Sequence, residues 1–80
     1  MFNPETANVQ ENGALIIDRR RIGDTWIWLC EQPGQVQPYV TWVSGHNSAD
    51  LTEWGHYHGR FVKAYEDFCE RIRKQWSYES

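Results

Sequence analysis

The segment Thr25-Trp26-Ile27-Trp28-Leu29-Cys30 limits what this chain can fold into more than any other stretch. Alternate residues of a strand face opposite sides of a sheet, so Trp26, Trp28 and Cys30 point one way and Ile27 and Leu29 the other. A strand apolar on both sides belongs in the middle of a sheet whose two faces are both covered. Its neighbours follow from the punctuation around it. Ala14-Leu15-Ile16-Ile17 is β-prone and Ile22-Gly23-Asp24 reads as a turn, which places a first strand near 14–20. Gln32-Pro33-Gly34-Gln35 is a turn with Pro preset for its second position and Gly free to take a positive φ at its third. A third strand over 36–44 contains Tyr39-Val40-Thr41-Trp42-Val43, with Pro38 near its start because Pro cannot donate to a ladder. After the polar loop 45–50, residues 51–58 read as a fourth strand, in which Gly55 marks a bulge or a close backbone approach.

From Arg60 the period turns helical. Phe61, Tyr65, Phe68, Ile72 and Trp76 recur at spacings of three and four, with Val62 and Cys69 alongside, so the spacing predicts a helix with that stripe as its buried face. Lys63, Glu66, Asp67, Glu70, Arg71, Arg73 and Lys74 are then assigned to the solvent side. Asp67–Arg71 and Glu70–Lys74 are acid-first i,i+4 pairs on that side. Short connections between consecutive strands imply hairpins. The expected architecture is an α+β domain over residues 13–78, an antiparallel four-stranded meander with one C-terminal helix on one face (ββββα). Residues 1–12 are polar and read as a flexible arm, although Asn3-Pro4-Glu5 has the composition of a helical turn, with Asn as cap and Pro in the first position.

One helix covers one face, yet the second and third strands carry large apolar groups on both. Five Trp, four Tyr and three Phe make 15% of the 80 residues aromatic. The arm is too polar to account for the second face, so the surplus points to a partner protein or a twofold copy, since Trp, Tyr and Arg dominate interface hot spots. The competing explanation is that a small domain uses large rings to reach adequate burial.

Other readings are constrained by charge and motif. A net charge of −3 argues against a general nucleic-acid binder. No apolar run approaches the roughly 20 residues of a membrane span, and no signal peptide is read at the N-terminus, which leads to the expectation of a reducing cytoplasm. Cys30 and Cys69 are accordingly expected as core thiols, close enough in the pattern to pack together. His56 and His58, at i and i+2 of a strand, share a face in a spacing that suits Zn, Ni or Cu, with His46 or Glu53 available to complete a site; the simpler reading is a polar-aromatic sheet edge beside Trp54 and Tyr57. Cys69 with either histidine, or Ser44 and Ser48 around His46, lacks a recognisable nucleophilic arrangement, so no catalytic residue, metal or cofactor is assigned. Arg19-Arg20-Arg21 with aromatics nearby evokes single-strand nucleic-acid binding, but no strand carries a ribonucleoprotein-type motif, and pairing with Asp18, Asp24 or the helix acids explains the run equally. The helix acids are interleaved with bases, unlike the unopposed acidic face of a DNA mimic.

A hairpin sheet with the Trp-rich strands Trp26-Ile27-Trp28-Leu29 and Tyr39-Val40-Thr41-Trp42-Val43 and one charged helix resembles the small orphan proteins of phages and mobile elements, the anti-CRISPR proteins among them. The likeness lies in size and organisation, and it implies a non-catalytic module that binds and occludes a nucleic-acid-processing complex, such as a CRISPR or other host-defence assembly. The contact set expected from the sequence is Arg19, Arg20, Arg21, Tyr39, Trp42, Trp54, His56 and His58. The alternatives are a homodimeric structural or regulatory protein, or a small metal- or nucleic-acid-binding domain.

Overall fold

A computed structural model describes residues 2–45 and 55–79. Within them, β1 (Leu15–Ile22), β2 (Thr25–Glu31), β3 (Tyr39–Ser44), β4 (His56–His58) and α1 (Phe61–Glu79) follow in chain order. The four strands form an antiparallel sheet in the order β1-β2-β3-β4, and α1 packs on one face, which is the ββββα meander expected. β3 starts at Tyr39, later than the expected 36, because the Gln32 N–H donates to the Pro38 carbonyl at 2.6 Å and keeps 33–38 in the turn, where Gly34 takes φ 88°. Of the expected fourth strand, His56–His58 is extended and paired, while 51–54 lie outside the described residues.

Register sorts the core into two clusters, one per face. Trp28 lies opposite Trp42 and Cys30 opposite Val40, and with Ala14 these four are buried on one face. Ile27 and Leu29 face the helix and are buried with Ile22, Ala64 and Phe68. The two-sided reading of β2 therefore holds, residue by residue. β1 carries an irregularity the sequence did not announce: the register shifts between Ile16 and Asp18, so Ile17 is an extra residue.

Two expectations are corrected. The first concerns α1. Its buried face is centred on Ala64 and Phe68, with Ile72 partly buried, whereas Phe61, Tyr65 and Trp76 are exposed. Ala64, fully buried, sets only a methyl against the sheet, and the large rings to one side of it stay outside. Asp67 and Arg71, assigned to solvent, instead lie at the helix–sheet junction, their side chains only 20% and 10% exposed.

The second concerns the Trp-bearing face. The segment read as an arm lies against it. Asn3 Oδ1 accepts from the Glu5 N–H and the Asn3 carbonyl from the Ala7 N–H, which is the Asn-Pro turn. Asn8 then accepts from the Ile16 N–H, the Gln10 N–H donates to Ala14, and Gly13 turns at φ 93° between them. Phe2 is thereby brought to 6.0 Å from the Trp28 ring, tilted against it, and Gln10 is buried. A few apolar atoms held by backbone hydrogen bonds accomplish what the polar composition of 1–12 hides. Trp42, expected in an exposed contact set, is 4% exposed on this face, with Tyr57 against it edge to face at 6.4 Å.

Gly55 marks a close approach, as its place in the sequence suggested. A Cβ there would stand 2.6 Å from Trp42 Nε1, and that ring is held in the core. Gly55→Ala is expected to destabilise the fold by about 1–3 kcal/mol through overpacking. A urea midpoint unchanged from wild type would show that the ring has room to yield.

Candidate functional site

The densest polar constellation is built on Asp67, where α1 crosses the end of the sheet. β3 presents Thr41, and β4, paired to it through Thr41 opposite His56, presents two histidines. The Thr41 hydroxyl donates to Asp67 Oδ2. His56 Nδ1 lies 2.9 Å and 3.1 Å from the two carboxylate oxygens. His58 Nε2, itself buried, stands 3.5 Å from Oδ2 without a hydrogen bond. Arg71, one turn on, brings Nε to 3.7 Å of Oδ2 and donates from Nη1 to the Thr41 carbonyl at 3.4 Å. Burial by itself pushes the Asp67 carboxyl up, but the hydrogen bonds from Thr41 and His56 and the charges of His56 and Arg71 outweigh it and hold the group below the usual carboxylate value. Burial also pulls Arg71 down, with the Asp67 charge opposing. Beside this network opens a cleft of about 430 Å³, lined by Val43, His56, Lys74, Gln75 and Tyr78 as well as the pair itself.

Chemically, Asp67 orients: it fixes the His56 ring by its Nδ1 side and ties β3, β4 and α1 together. His56 and His58 do project from one face as their spacing implied, but they converge on a carboxylate already engaged by a hydroxyl and approached by a guanidinium. Among the described residues no group of three or more His, Cys, Asp or Glu is arranged to hold a metal ion.

No protein-family model, curated protein or solved structure matches this chain.

The remaining expected contact residues are scattered. Arg19 lies opposite Trp28, its guanidinium 5.8 Å from that ring's centroid and donating to the Pro4 carbonyl at 2.9 Å. Arg21 bonds the Gly23 carbonyl at 3.0 Å and reaches Glu5 at 3.9 Å. Arg20 is exposed and lies opposite Ile27, on the helix side. The run is thus split between two faces. It also lies on β1, at the opposite edge of the sheet from the histidines of β4, so the two groups do not make one surface. Tyr39 is half-buried and meets Phe61 edge to face at 5.6 Å. Trp54, with His46, Ser48 and Glu53, lies outside the described residues.

What the sequence reading missed is the outer flank of α1. Phe61 and Tyr65 stack at 6.0 Å, and the stripe continues through Val62, Cys69 and Trp76, all exposed. At 100° per residue these positions fall together beside the buried face, on the side away from Asp67 and Arg71 and therefore towards β1. Trp76 is 58% exposed and Val62 63%. These residues were visible as an apolar stripe; its full width was simply assigned to the core.

The cysteines separate in the same way. Cys30 is buried in the Trp cluster, and burial pushes its thiol up to about 12 against the opposing charge of Arg19. Cys69 is exposed, so it is neither core nor packed with Cys30. A thiol reagent at neutral pH is expected to modify one cysteine in the native protein and two after denaturation. Rapid modification of both in the folded state would contradict the burial of Cys30.

Proposed function

We propose that this chain is a non-catalytic protein-binding module whose contact surface is the exposed flank of α1. The observation that carries the reading is the run of Phe61, Val62, Tyr65 and Trp76, large apolar groups in water along one helix. Aromatic side chains of this kind supply much buried area for few rotatable bonds, which is why they anchor interfaces. The surface differs from the one expected from the sequence, which centred on Trp42 and the Trp face of the sheet.

The finer form of the proposal is an inhibitor of the kind phages and mobile elements use, one that occludes a nucleic-acid-processing complex such as a CRISPR or other host-defence assembly. Its support is the size and organisation of the chain and the concentration of contact-type residues on one flank. Direct nucleic-acid contact receives little support, since Arg19 and Arg21 are engaged within the chain and the net charge is negative. Among the described residues no helix is long and apolar enough to cross a membrane. The test is affinity capture from the native host with mass spectrometry, wild type beside Tyr65→Ala/Trp76→Ala. A defence or other nucleic-acid-processing complex retained by wild type and lost in the variant is the expected result. Retention of no such complex overturns the inhibitor reading.

A further inference from the structure

We infer that the α1 flank is occupied by a second copy of this chain, the two helices lying antiparallel about a twofold axis at Cys69. This rests on the reading of that flank as a protein-binding surface and names its occupant. Register carries this pairing. In an antiparallel pair of identical helices, residues equally far from the axis on opposite sides of it meet, and residues on the same margin face each other. With Cys69 on the axis, Val62 of one copy lies opposite Trp76 of the other, and Tyr65 meets the Trp76 side of the partner helix. Each bulky ring at one end of the stripe therefore faces a smaller or flatter group at the other end.

Charge follows the same register. The margin of the stripe turned away from the sheet carries Glu66 before the axis and Arg73 after it, at nearly equal distances. The twofold places Glu66 against the partner's Arg73 twice over. Among the described residues these two make local i,i+3 pairs, Lys63–Glu66 at 3.7 Å and Arg73–Glu70, and both Glu66 and Arg73 are largely exposed and able to be shared across an interface. Exposed pairs of this sort add little affinity, but like charges in their place set one register and forbid others. Room for the partner exists as well: the helix leaves Leu15 and Arg20 on the same side of β1 exposed, so a second helix beside α1 has sheet beneath it.

The dimer leaves the cleft beside Asp67, lined by His56 and Tyr78, outside the helix contact on each copy, so a target would meet it twice.

The experiment is light scattering after gel filtration over a concentration series, on wild type, Glu66→Arg, Arg73→Glu and the double reversal. Wild type is expected at twice the mass of the single chain. Each single reversal should weaken self-association at least tenfold, and the double reversal should restore it, with far-UV circular dichroism unchanged throughout because both residues are exposed. In wild type a bis-maleimide spanning about 8 Å, the lower end of helix–helix axial distances, should join the two Cys69 thiols, and Cys69→Ser should abolish the product. A single-chain mass at every concentration overturns the proposal, as does a dimer indifferent to both reversals. If the chain is a monomer yet still captures a target that Tyr65→Ala/Trp76→Ala loses, the binding-module reading stands and only the twin is excluded. A dimer that captures nothing has the opposite meaning.

Discussion

Trp28→Ala should remove a large share of the stability of this fold. Trp28 is 1% exposed and sits at the centre of the cluster formed by Ala14, Cys30, Val40 and Trp42, with Phe2 and Trp26 against it. Truncating a buried aromatic to Ala costs about 3–5 kcal/mol, and a domain of this length is worth roughly 4–12 kcal/mol in all. The indole also has a polar task, since Nε1 donates to the Ser44 hydroxyl at 2.8 Å in a buried bond. Trp28→Phe separates the two contributions. It keeps most of the apolar volume but strands the Ser44 oxygen, and it should cost about 1–3 kcal/mol beyond the lost volume. Urea unfolding followed by far-UV circular dichroism measures both. A Trp28→Ala protein with the wild-type midpoint would mean that this face carries no stability and that residues 2–14 merely rest on it.

The second large effect is expected at Asp67. Asp67→Asn removes the charge while keeping the shape, and takes from the guanidinium of Arg71, 10% exposed, the carboxylate it faces at 3.7 Å. Breaking a mostly buried pair from one side costs about 3–5 kcal/mol, and the part of Asp67 that water still reaches reduces this to roughly 2–4 kcal/mol. Replacing both residues by leucine should recover much of the loss, because the penalty lies in keeping a buried guanidinium beside a neutral amide more than in the absent bond. Acid should act in a defined direction. The folded carboxyl lies below its ordinary value of about 4, so its contribution is complete above that pH and disappears as pH falls through the folded value. The stability gap between wild type and Asp67→Asn should therefore narrow on acidification below about pH 4. A gap of constant size from neutral pH to pH 2 would remove Asp67 from the account of what holds α1 to β3 and β4.

These two residues also show what could and could not be read in advance. Strand β2 was legible because alternation within a run of β-branched and aromatic residues leaves little freedom, and the order of the strands followed from short turns. The existence of α1 was legible from its period. Its rotation was not, because a period weights large side chains, whereas packing distance is set by the smallest one. Ala64 decided the angle, and Tyr65 and Trp76 moved to the outside. Asp67 and Arg71 were placed in solvent by the general habit of charges; only Thr41 and His56, distant in sequence, show why they lie inward. The cover on the Trp face was illegible for a related reason. Its work is done by backbone groups of Asn3, Asn8 and Gln10, which composition cannot distinguish from those of a free tail.

The extra residue at Ile17 has a consequence for how this sequence can vary. Ahead of it, Ile16 shares a face with Cys30; behind it, Arg19 and Arg21 take that face and Ile22 passes to the helix side. The strand is thus two half-strands in opposite phase, and Ile17 is the phase step between them. Deleting that single residue would leave Ile16 opposite Cys30 and Asp18 opposite Leu29 in unbroken alternation, with Arg19, Arg21 and Ile22 on the faces they now hold; deleting a paired residue beyond it, such as Arg20, would instead carry Ile22 out of the helix-side core and turn Arg21 towards α1. Loss of the phase step itself should therefore be far better tolerated at this edge than loss of one paired residue beyond it.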